Sequence, residues 1–526
     1  MPPAAAPRTP PRTTGPRSGP HPDPRRWWAL GAIVTSMLVL GFDGTILNVA
    51  LPTMASELHA GTGALQWIAD SYLVVFAALM LPAGLLGDRF GRRRMLVTGL
   101  AVFFAGSLAG TFAQNTATVI AARCVMGAGA ALIMPLAMAV LPSLFGPDER
   151  TKAMGAVSGA AALGMPLGPL VGGLLLDHFW WGSVFLVNVP LIGLAVAACL
   201  FLLPETTDPA SPTVDVLATA LAVGGLGALV YGVTEGPGRG WSSPPVLGTL
   251  TAAALLITLL VVRSRRQERP MLDLVLLRHR GFLWNTVAAS LVMFTLTGLL
   301  FVLPPYLQTV LGQDAFGTGL RMVPMPAGML LSSRATAPLL RRLGPRPVIG
   351  GGLAVMALAA LLGSRTDPGD GYGFTALWLS LVGIGFGLAI IPAMSEALGT
   401  LPRHRAGVGS GLLTTLRQVS AAVGLAVCGS LIAGAYTRRL DTDGLPPAAA
   451  RAAGESVMAA HATAAKLGDA ALLRSADAAY VHGMDLALTV CGGTALAAAL
   501  LVGAFLPDSR TRPDASGPVA VESSDA

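Results

Sequence analysis

Two acidic residues, Asp43 and Asp70, each interrupt a long apolar stretch of this sequence. Asp43 lies in LVLGFDGTILNVALPTM, residues 38–54, and Asp70 lies in LQWIADSYLVVF. A carboxylate inside a bilayer is costly, so such a residue usually serves an ion or substrate pathway. These two carboxyl groups could bind and release a proton, or attract a cationic substrate.

The predicted helices place both carboxyl groups at nearly one depth. Helix one is expected to run outward from residue 28, which puts Asp43 about 22 Å from its inner end at 1.5 Å per residue. Helix two is expected to run inward from residue 64, which puts Asp70 about 9 Å below the outer end of a roughly 30 Å core. Two neighbouring acids would resist ionising together, so at least one should exchange a proton near neutral pH. The alternatives are a satisfied interhelical hydrogen bond for Asp43 and an interfacial position for Asp70.

Arg123, in IAARCVMGAGAA, is a third charge within a predicted helix. An intramembrane arginine needs a carboxylate or carbonyl partner. The alternative is a side chain that extends outward to the membrane surface. We assign a cavity or gating role to the following further polar residues of the predicted helices: Asn48, Tyr306, Gln308, Arg417 and Gln418.

The composition indicates an all-α integral membrane protein. Of 526 residues, 53% are hydrophobic and only 12% are charged, whereas a soluble domain carries about 25% charged residues. Apolar runs of about 20 residues can each cross the bilayer, and they must be helical because unpaired backbone groups are too costly in lipid. We find no GxxxxGK[ST] loop, zinc-ligand spacing or acid–base triad. We therefore expect no enzyme, nucleotide, cofactor, metal or nucleic acid.

Fourteen apolar runs are long enough to span a membrane. Most arginines fall on the side that holds both termini, which places the termini in the cytoplasm by the positive-inside rule. The connection 204–213 is also inside yet has no basic residue, which is the weakest point of this topology. A twelve-helix alternative would remove a pair around 214–262. The predicted spans are 28–50, 64–86, 95–113, 116–142, 153–176, 183–203, 214–234, 245–262, 282–307, 316–338, 347–363, 372–395, 407–432 and 482–506.

A short internal repeat indicates two halves. GLLGDRFGRRRML follows helix two and PLLRRLGPRPVI follows helix ten, which suggests parallel repeats around a central cavity. The predicted organisation is a disordered cytoplasmic tail at 1–26, a six-helix bundle at 27–204, an inserted helix pair and cytoplasmic loop at 205–280, a second six-helix bundle at 281–506 that contains a long extracytoplasmic loop at 434–481, and a disordered cytoplasmic tail at 507–526.

The loop between helices two and three carries a family resemblance. Its residues resemble the corresponding motif of the major facilitator superfamily, and the resemblance implies a latch that breaks and re-forms as a transporter changes faces. The arginines could equally be a positive-inside anchor. The matching residues are Gly84, Asp88, Arg89, Gly91, Arg92 and Arg93.

Helix five contains GMPLGPLVGG, in which glycine recurs every four residues. This spacing gives one smooth face for close helix contact, and the proline permits a bend. The stretch resembles the superfamily's antiporter motif, which is associated with exporters, although ordinary small-residue packing would also explain it. The motif residues are Gly164, Gly168, Pro169, Gly172 and Gly173.

Helices one, two and four resemble one branch of the superfamily more closely. DGTILNVALP and WIADSY are similar to segments of its fourteen-helix drug:proton antiporter branch, the DHA2 type. Arg123 resembles the helix-four motif, with Met126 where glutamine is usual. The resemblance implies a major facilitator fold with two six-helix bundles and an inserted helix pair.

The implied function is export of drugs or antibiotics across the bacterial cytoplasmic membrane in exchange for protons. Its expected partners are a lipophilic or cationic small molecule, protons and the lipid bilayer, and we expect a monomer. One alternative is an exporter of a specific metabolite such as an amino acid, sugar or siderophore. Another is a membrane sensor that does not transport. Aromatic residues make up only 6% of the chain, so the substrate is left open.

Overall fold

The computed structural model describes residues 25–145, 147–207, 215–267, 273–367, 370–401 and 406–507. Within these ranges the regular structure is entirely helical. Residues 1–24 and 508–526, which make up nearly all of the two predicted tails, and most of the 204–213 connection lie outside the described residues.

The N-terminal half is a bundle around one apolar core. α1 packs along α5, and α4 packs against both α2 and α3. Gly91, with φ of 107°, makes the sharp turn between α2 and α3, a conformation that glycine adopts without steric cost. The helices are α1 (Arg25–Glu57), α2 (Thr62–Phe90), α3 (Arg92–Thr111), α4 (Thr116–Leu144), α5 (Pro147–His178), α6 (Ser183–Leu186) and α7 (Asn188–Leu202).

The predicted inserted pair corresponds to α8 (Val216–Arg239) and α9 (Pro244–Arg266), which pack against each other. Asp215 caps α8, and Arg263 near the end of α9 donates to its carboxylate at 2.7 Å. This hydrogen bond from Arg263 lowers the pKa of Asp215 to about 2. α8 also packs against α2 and against α15 of the C-terminal half, so the pair lies beside the seam between the halves.

The C-terminal half has a second apolar core, and a π-helical turn at Tyr306–Val310 follows its first long helix. The predicted span 316–338 is broken, because Pro324 and Pro326 lack the amide hydrogens that a continuous helix needs. The helices are α10 (Arg280–Pro305), α11 (Ala315–Met322), α12 (Pro324–Leu343), α13 (Pro345–Gly363), α14 (Tyr372–Gly399), α15 (Ala406–Arg439), α16 (Pro447–Glu455), α17 (Val457–Leu467) and α18 (Ala470–Phe505).

All fourteen predicted spans fall on helices, but not all of these helices are equally apolar. Twelve helical stretches in the described chain are long and apolar enough to cross a membrane. They include α8 and α9, which does not favour the twelve-helix alternative that would remove the pair around 214–262. α5 and α12 are at least 20 residues long but are not among the twelve. The number of crossings therefore stays a prediction.

The predicted long loop 434–481 is mostly helical. α15 continues to Arg439 and α18 already begins at Ala470, and α16 and α17 lie between them. We call residues 441–469 the helical cap. The hydroxyl of Tyr436 donates to the carbonyl of Ala453 at 3.0 Å, and Ala453 is fully buried. Alanine is the strongest helix former, which explains why this Ala-rich segment folds into helices rather than a loop.

The two halves meet closely at the end of the bundle where α5 ends. The backbone amide of Phe316 in α11 donates to Asp177 at 3.2 Å, and a Cβ built on Gly173 would lie 2.5 Å from the carbonyl oxygen of Ala315. The helical cap lies at the same end, where Thr62 of α2 donates to the carbonyl of Glu455 at 3.1 Å. This end of the bundle is closed.

Candidate transport site

Asp43 of α1 and Arg123 of α4 form a buried ion pair. An Oδ2–Nη1 distance of 2.8 Å joins them, and their side chains are 1% and 3% exposed. The Nε of Arg123 also donates to the carbonyl of Ile68 at 3.3 Å. Arg123 thus has both a carboxylate and a carbonyl as partners.

Two further residues complete the surroundings of the pair. Asn188, at the start of α7, donates to the second carboxylate oxygen of Asp43 at 3.0 Å. The guanidinium of Arg123 lies over the ring of Tyr72, 4.2 Å from its centroid, in a cation–π contact that is favourable when desolvated. The carboxylate of Asp43 therefore connects α1, α4 and α7, and Arg123 adds α2.

Glycines let the helices that carry the ion pair pack closely against their neighbours. A Cβ on Gly127, one turn after Arg123, would lie 2.6 Å from the carbonyl oxygen of Tyr72. On the other side of α1, a Cβ on Gly164 would lie 2.6 Å from the backbone nitrogen of Phe42. A Cβ on Gly168 would lie 2.8 Å from the carbonyl oxygen of Phe42. Small residues at such crossings let backbones approach directly.

The predicted antiporter motif therefore packs against the segment that carries Asp43. Gly164 and Gly168 face the turns of α1 on either side of it, and Gly172 faces Ile46 one turn further along. Gly173 instead lies close to α11, and the carbonyl oxygen of Pro169 lies against Gly319 of α11. One stripe of small residues thus touches the acidic site and the contact between the halves.

Asp70 has an entirely different environment from Asp43. Its side chain is fully buried, and neither carboxylate oxygen has a hydrogen-bond partner among the described residues. It lies between Ile68 and Tyr72, the two α2 residues that Arg123 contacts, so Asp70 is close to the ion pair in depth. Arg123 itself is bonded to Asp43.

The face of α2 that carries Asp70 points toward the C-terminal half. Gln66, one turn earlier, donates to the carbonyl of Ala426 in α15 at 3.4 Å, and Val74, one turn later, packs in a cluster with Ala422 and Ala426. Residues four apart share one helix face. Asp70 is therefore on the part of α2 that packs against α15, at the interface between the halves.

The two acids are therefore not equivalent. The prediction that they repel each other had treated them alike. Arg123 compensates the charge of Asp43, whereas the described residues provide no cation that pairs with Asp70. The sequence could not distinguish them, because the helix rotations that decide which acid meets Arg123 depend on packing.

The predicted cavity residues lie in several places. Arg417 is half-buried, and its Nη1 lies 3.1 Å from the sulfur of Met394, with no partner for its Nε among the described residues. Gln418 is also half-buried. Asn48 is buried on α1. Tyr306 is fully buried. Gln308 donates to the carbonyl of Val49 in α1 at 3.0 Å and so joins the halves at their closed end.

The motif between α2 and α3 makes contacts within the N-terminal half. Arg92 donates to Asp88 at 2.8 Å and to the carbonyl of Ala139 in α4 at 2.9 Å. Arg93 donates to the carbonyl of Leu200 in α7 at 2.6 Å. Arg89 lies over the ring of Phe90. Gly84 has only ordinary contact with α4.

Sequence reasoning missed three residues that contribute to these sites. Asn188 could have been recognised from the sequence, since it is an amide at the start of an apolar helix. Glu205 accepts the backbone amide of Arg93 and lies 3.6 Å from Arg94, although its segment is unremarkable. Gln66 lies one turn before Asp70, a spacing that could have indicated a shared face.

Comparison with known proteins places these features in a family. The sequence model described as Major Facilitator Superfamily matches residues 33–425. The tetracenomycin C resistance and export protein of Streptomyces glaucescens is 31% identical over 511 residues, 94% of each chain. The puromycin resistance protein of Streptomyces alboniger is 33% identical, covering 81% of this chain and 86% of its own.

A further relative comes from another bacterium, and a solved structure has a similar fold. The methyl viologen resistance protein of Salmonella typhimurium is 30% identical, covering 90% of this chain and 96% of its own. A bacterial homologue of the human lysosomal transporter Spinster, in an inward-facing conformation, aligns with a TM-score of 0.65 at 16% identity, over 91% of this chain and 97% of that one. At that identity the likeness concerns the fold alone.

Proposed function

Because this chain belongs to the Major Facilitator Superfamily and is a multi-pass membrane transporter rather than an enzyme, we propose that it exports a drug-like or antibiotic compound in exchange for protons. Relatives named for resistance to tetracenomycin C, puromycin and methyl viologen support a drug-like cargo. The observation that carries the proton coupling is Asp70, a fully buried carboxyl group without a partner among the described residues, at the interface between the halves.

The proposed coupling follows from the cost of burying charge. An isolated ionised carboxylate in a low-dielectric interior is costly, and a bound proton or a cationic substrate removes that cost. Either ligand at Asp70 would therefore stabilise the arrangement in which α2 packs on α15. Loss of that ligand would favour separation of the two helices and admission of water.

Asp43 and Arg123 have a different part in this proposal. Breaking a buried pair by removing one partner costs about 3–5 kcal/mol, so the pair holds α1, α2 and α4 as one unit. Asp43 would take up a proton or meet a substrate cation only when Arg123 moves away from it. Whether Asp43 can bind a proton or a substrate cation therefore depends on the conformation of the N-terminal half.

Alternating access supplies the transport cycle. With both termini cytoplasmic, as predicted, the closed end formed by α5, α11 and the helical cap would face outward. Export requires this end to open while the cytoplasmic ends close. Inward movement of one proton charge contributes about 2.3 kcal/mol per 100 mV, which can drive a substrate outward against its gradient.

The test uses the full-length protein in liposomes that contain a trapped pH dye. A proton gradient is imposed and a panel of lipophilic cations and antibiotics is added to wild type, Asp70→Asn, Asp43→Asn and Glu57→Gln. Glu57 is an exposed acid at the end of α1 and serves as the matched control. Substrate-dependent proton flux should occur in wild type and Glu57→Gln and be lost in Asp70→Asn.

Each other outcome has a definite meaning. Undiminished flux in Asp70→Asn would reject this acid as the coupling site. Flux with one metabolite and with no drug would replace the drug-export proposal by a specific exporter. Absence of flux with every compound and with cell metabolites would instead favour the sensor interpretation.

A further inference from the structure

A cavity of about 260 Å³ lies between α8 of the inserted pair and α15 of the C-terminal half. It is near the end of α15 and shares no lining residue with the Asp43–Arg123 pair. We call it the α8–α15 groove. Its lining includes Val233, Pro237, Trp241, Leu431, Gly434 and Arg438.

The groove is built by a direct contact and a missing side chain. Ser430 of α15 donates to the carbonyl of Val233 in α8 at 2.5 Å, which fixes the two helices together. At Gly434, a Cβ would lie 3.2 Å from the Cβ of Pro237 and 3.6 Å from Nη1 of Arg438. The glycine therefore lets α15 pass close to Pro237 of α8, and the guanidinium of Arg438 lies beside this contact.

Arg438 is the uncompensated charge of the groove. Its side chain is exposed, and no carboxylate pairs with it among the residues that the structure describes. The neighbouring cations differ in this respect. Arg239 pairs with Glu235 at 2.6 Å, and Arg439 interacts electrostatically with Asp485.

These features together define a ligand with one anionic group and an apolar tail. The guanidinium offers paired donors that match phosphate oxygens. Val233, Pro237 and Leu431 offer an apolar wall, and Trp241 is of the type that collects at the membrane–water boundary. Because both walls are helices of a membrane protein, the bilayer supplies such molecules directly to the groove.

We propose that the α8–α15 groove binds an anionic phospholipid, with its phosphate on Arg438 and an acyl chain against α8 and Leu431. The bound lipid fills the groove beside Gly434 and so holds the inserted pair against the C-terminal half. This site is separate from the proposed transport site, so it stands whether or not Asp70 couples protons.

The test measures lipid binding to the purified full-length protein by native mass spectrometry. Phosphatidylglycerol and phosphatidylcholine with identical acyl chains are titrated onto wild type, Arg438→Gln, Arg439→Gln and Gly434→Leu. Wild type should retain one phosphatidylglycerol more tightly than phosphatidylcholine. Arg438→Gln should weaken that first phosphatidylglycerol about tenfold, as expected for loss of one charge-assisted hydrogen bond, and Arg439→Gln should change it less than twofold.

Gly434→Leu distinguishes binding of the acyl chain from binding of the phosphate. It should weaken both lipids, because it fills the groove while retaining Arg438. Equal retention of the two lipids by wild type would overturn the proposal, as would equal losses in Arg438→Gln and Arg439→Gln, which indicate diffuse attraction to a basic helix end. Displacement of the lipid by an equal concentration of inorganic phosphate would identify a simple anion site instead. Size-exclusion profiles and thermal midpoints verify that each variant is folded.

Discussion

At the scale of single residues, Asp43 and Arg123 are useful to one another only as a pair. Removing either charge alone leaves the other buried without compensation, which costs about 3–5 kcal/mol, whereas removing both leaves neutral polar groups. The function of each residue must therefore be separated from its contribution to stability.

A double-mutant cycle makes that separation. Arg123→Gln should lower the free energy of unfolding by about 3–5 kcal/mol, and Asp43→Asn combined with Arg123→Gln should be more stable than Arg123→Gln alone. Thermal unfolding of the detergent-solubilised protein measures both, with Glu57→Gln as the control. If the two single effects simply add in the double variant, the residues do not interact in the folded protein.

At this scale the sequence identifies the charged residues of the site but not their pairing. Asp43, Asp70 and Arg123 are identifiable because a charge in an apolar run is conspicuous. Their pairing is not identifiable, since it depends on the rotation of three helices about their axes. Asn188 carries no charge and was overlooked for that reason.

At the scale of helices, the crossing of α1 and α5 depends on glycine. A side chain at Gly168 would meet the backbone of α1 beside Asp43, so Gly168→Leu should destabilise the protein by about 1–3 kcal/mol through overpacking. Gly44 is adjacent to Asp43 but has nothing within 4 Å of a built Cβ. Gly44→Ala should therefore be tolerated, or stabilise α1 by up to about 1 kcal/mol. Thermal midpoints of the two variants test this contrast, and equal midpoints would contradict the proposed packing.

A second prediction at this scale concerns the inserted pair. The pKa of Asp215 is lowered to about 2 from an ordinary 3.8 by its hydrogen bond with Arg263. The folded state therefore gains stability that is complete above about pH 4 and is lost as the pH falls through about 2. Exposure of Arg263 to solvent screens this pair, so the gain is small. The difference in thermal midpoint between wild type and Asp215→Asn should shrink between pH 4 and 2, and a constant difference would exclude this ion pair as its source.

Helices also differ in how well their pattern predicts them. Long apolar runs such as α10 are evident from hydropathy alone. The break between α11 and α12 follows from Pro324 and Pro326, but prolines within helices elsewhere in this chain, such as Pro82 in α2, do not break them. Only the neighbouring packing decides which proline ends a helix. The helical cap was missed because its alanines give no clear apolar period.

At the scale of the whole molecule, the helical cap spans both halves. It is continuous in sequence with α15 and α18, yet Thr62 of the N-terminal half donates to Glu455 within it, and Met458 packs against the cores of both halves. Opening of this end must break these contacts or carry the cap away with one half.

A disulfide can determine which of these occurs. A Cβ built on Gly61 would lie 3.7 Å from the Cβ of Glu455, close to the mean separation in disulfides. Gly61→Cys with Glu455→Cys should cross-link on oxidation and stop transport, and reduction should restore it. Each single variant is the control for the four native cysteines. Full transport by the oxidised protein would mean that the cap stays on the N-terminal half throughout the cycle.

The cap also makes one surface of this transporter a reporter of its state. If the cap leaves Gly61 and Thr62 when this end opens, a nanobody that recognises the seated cap would bind only while this end is closed, and would hold it closed. With the predicted topology, such a binder acts from outside the cell. Inhibition would then be independent of which compound is exported.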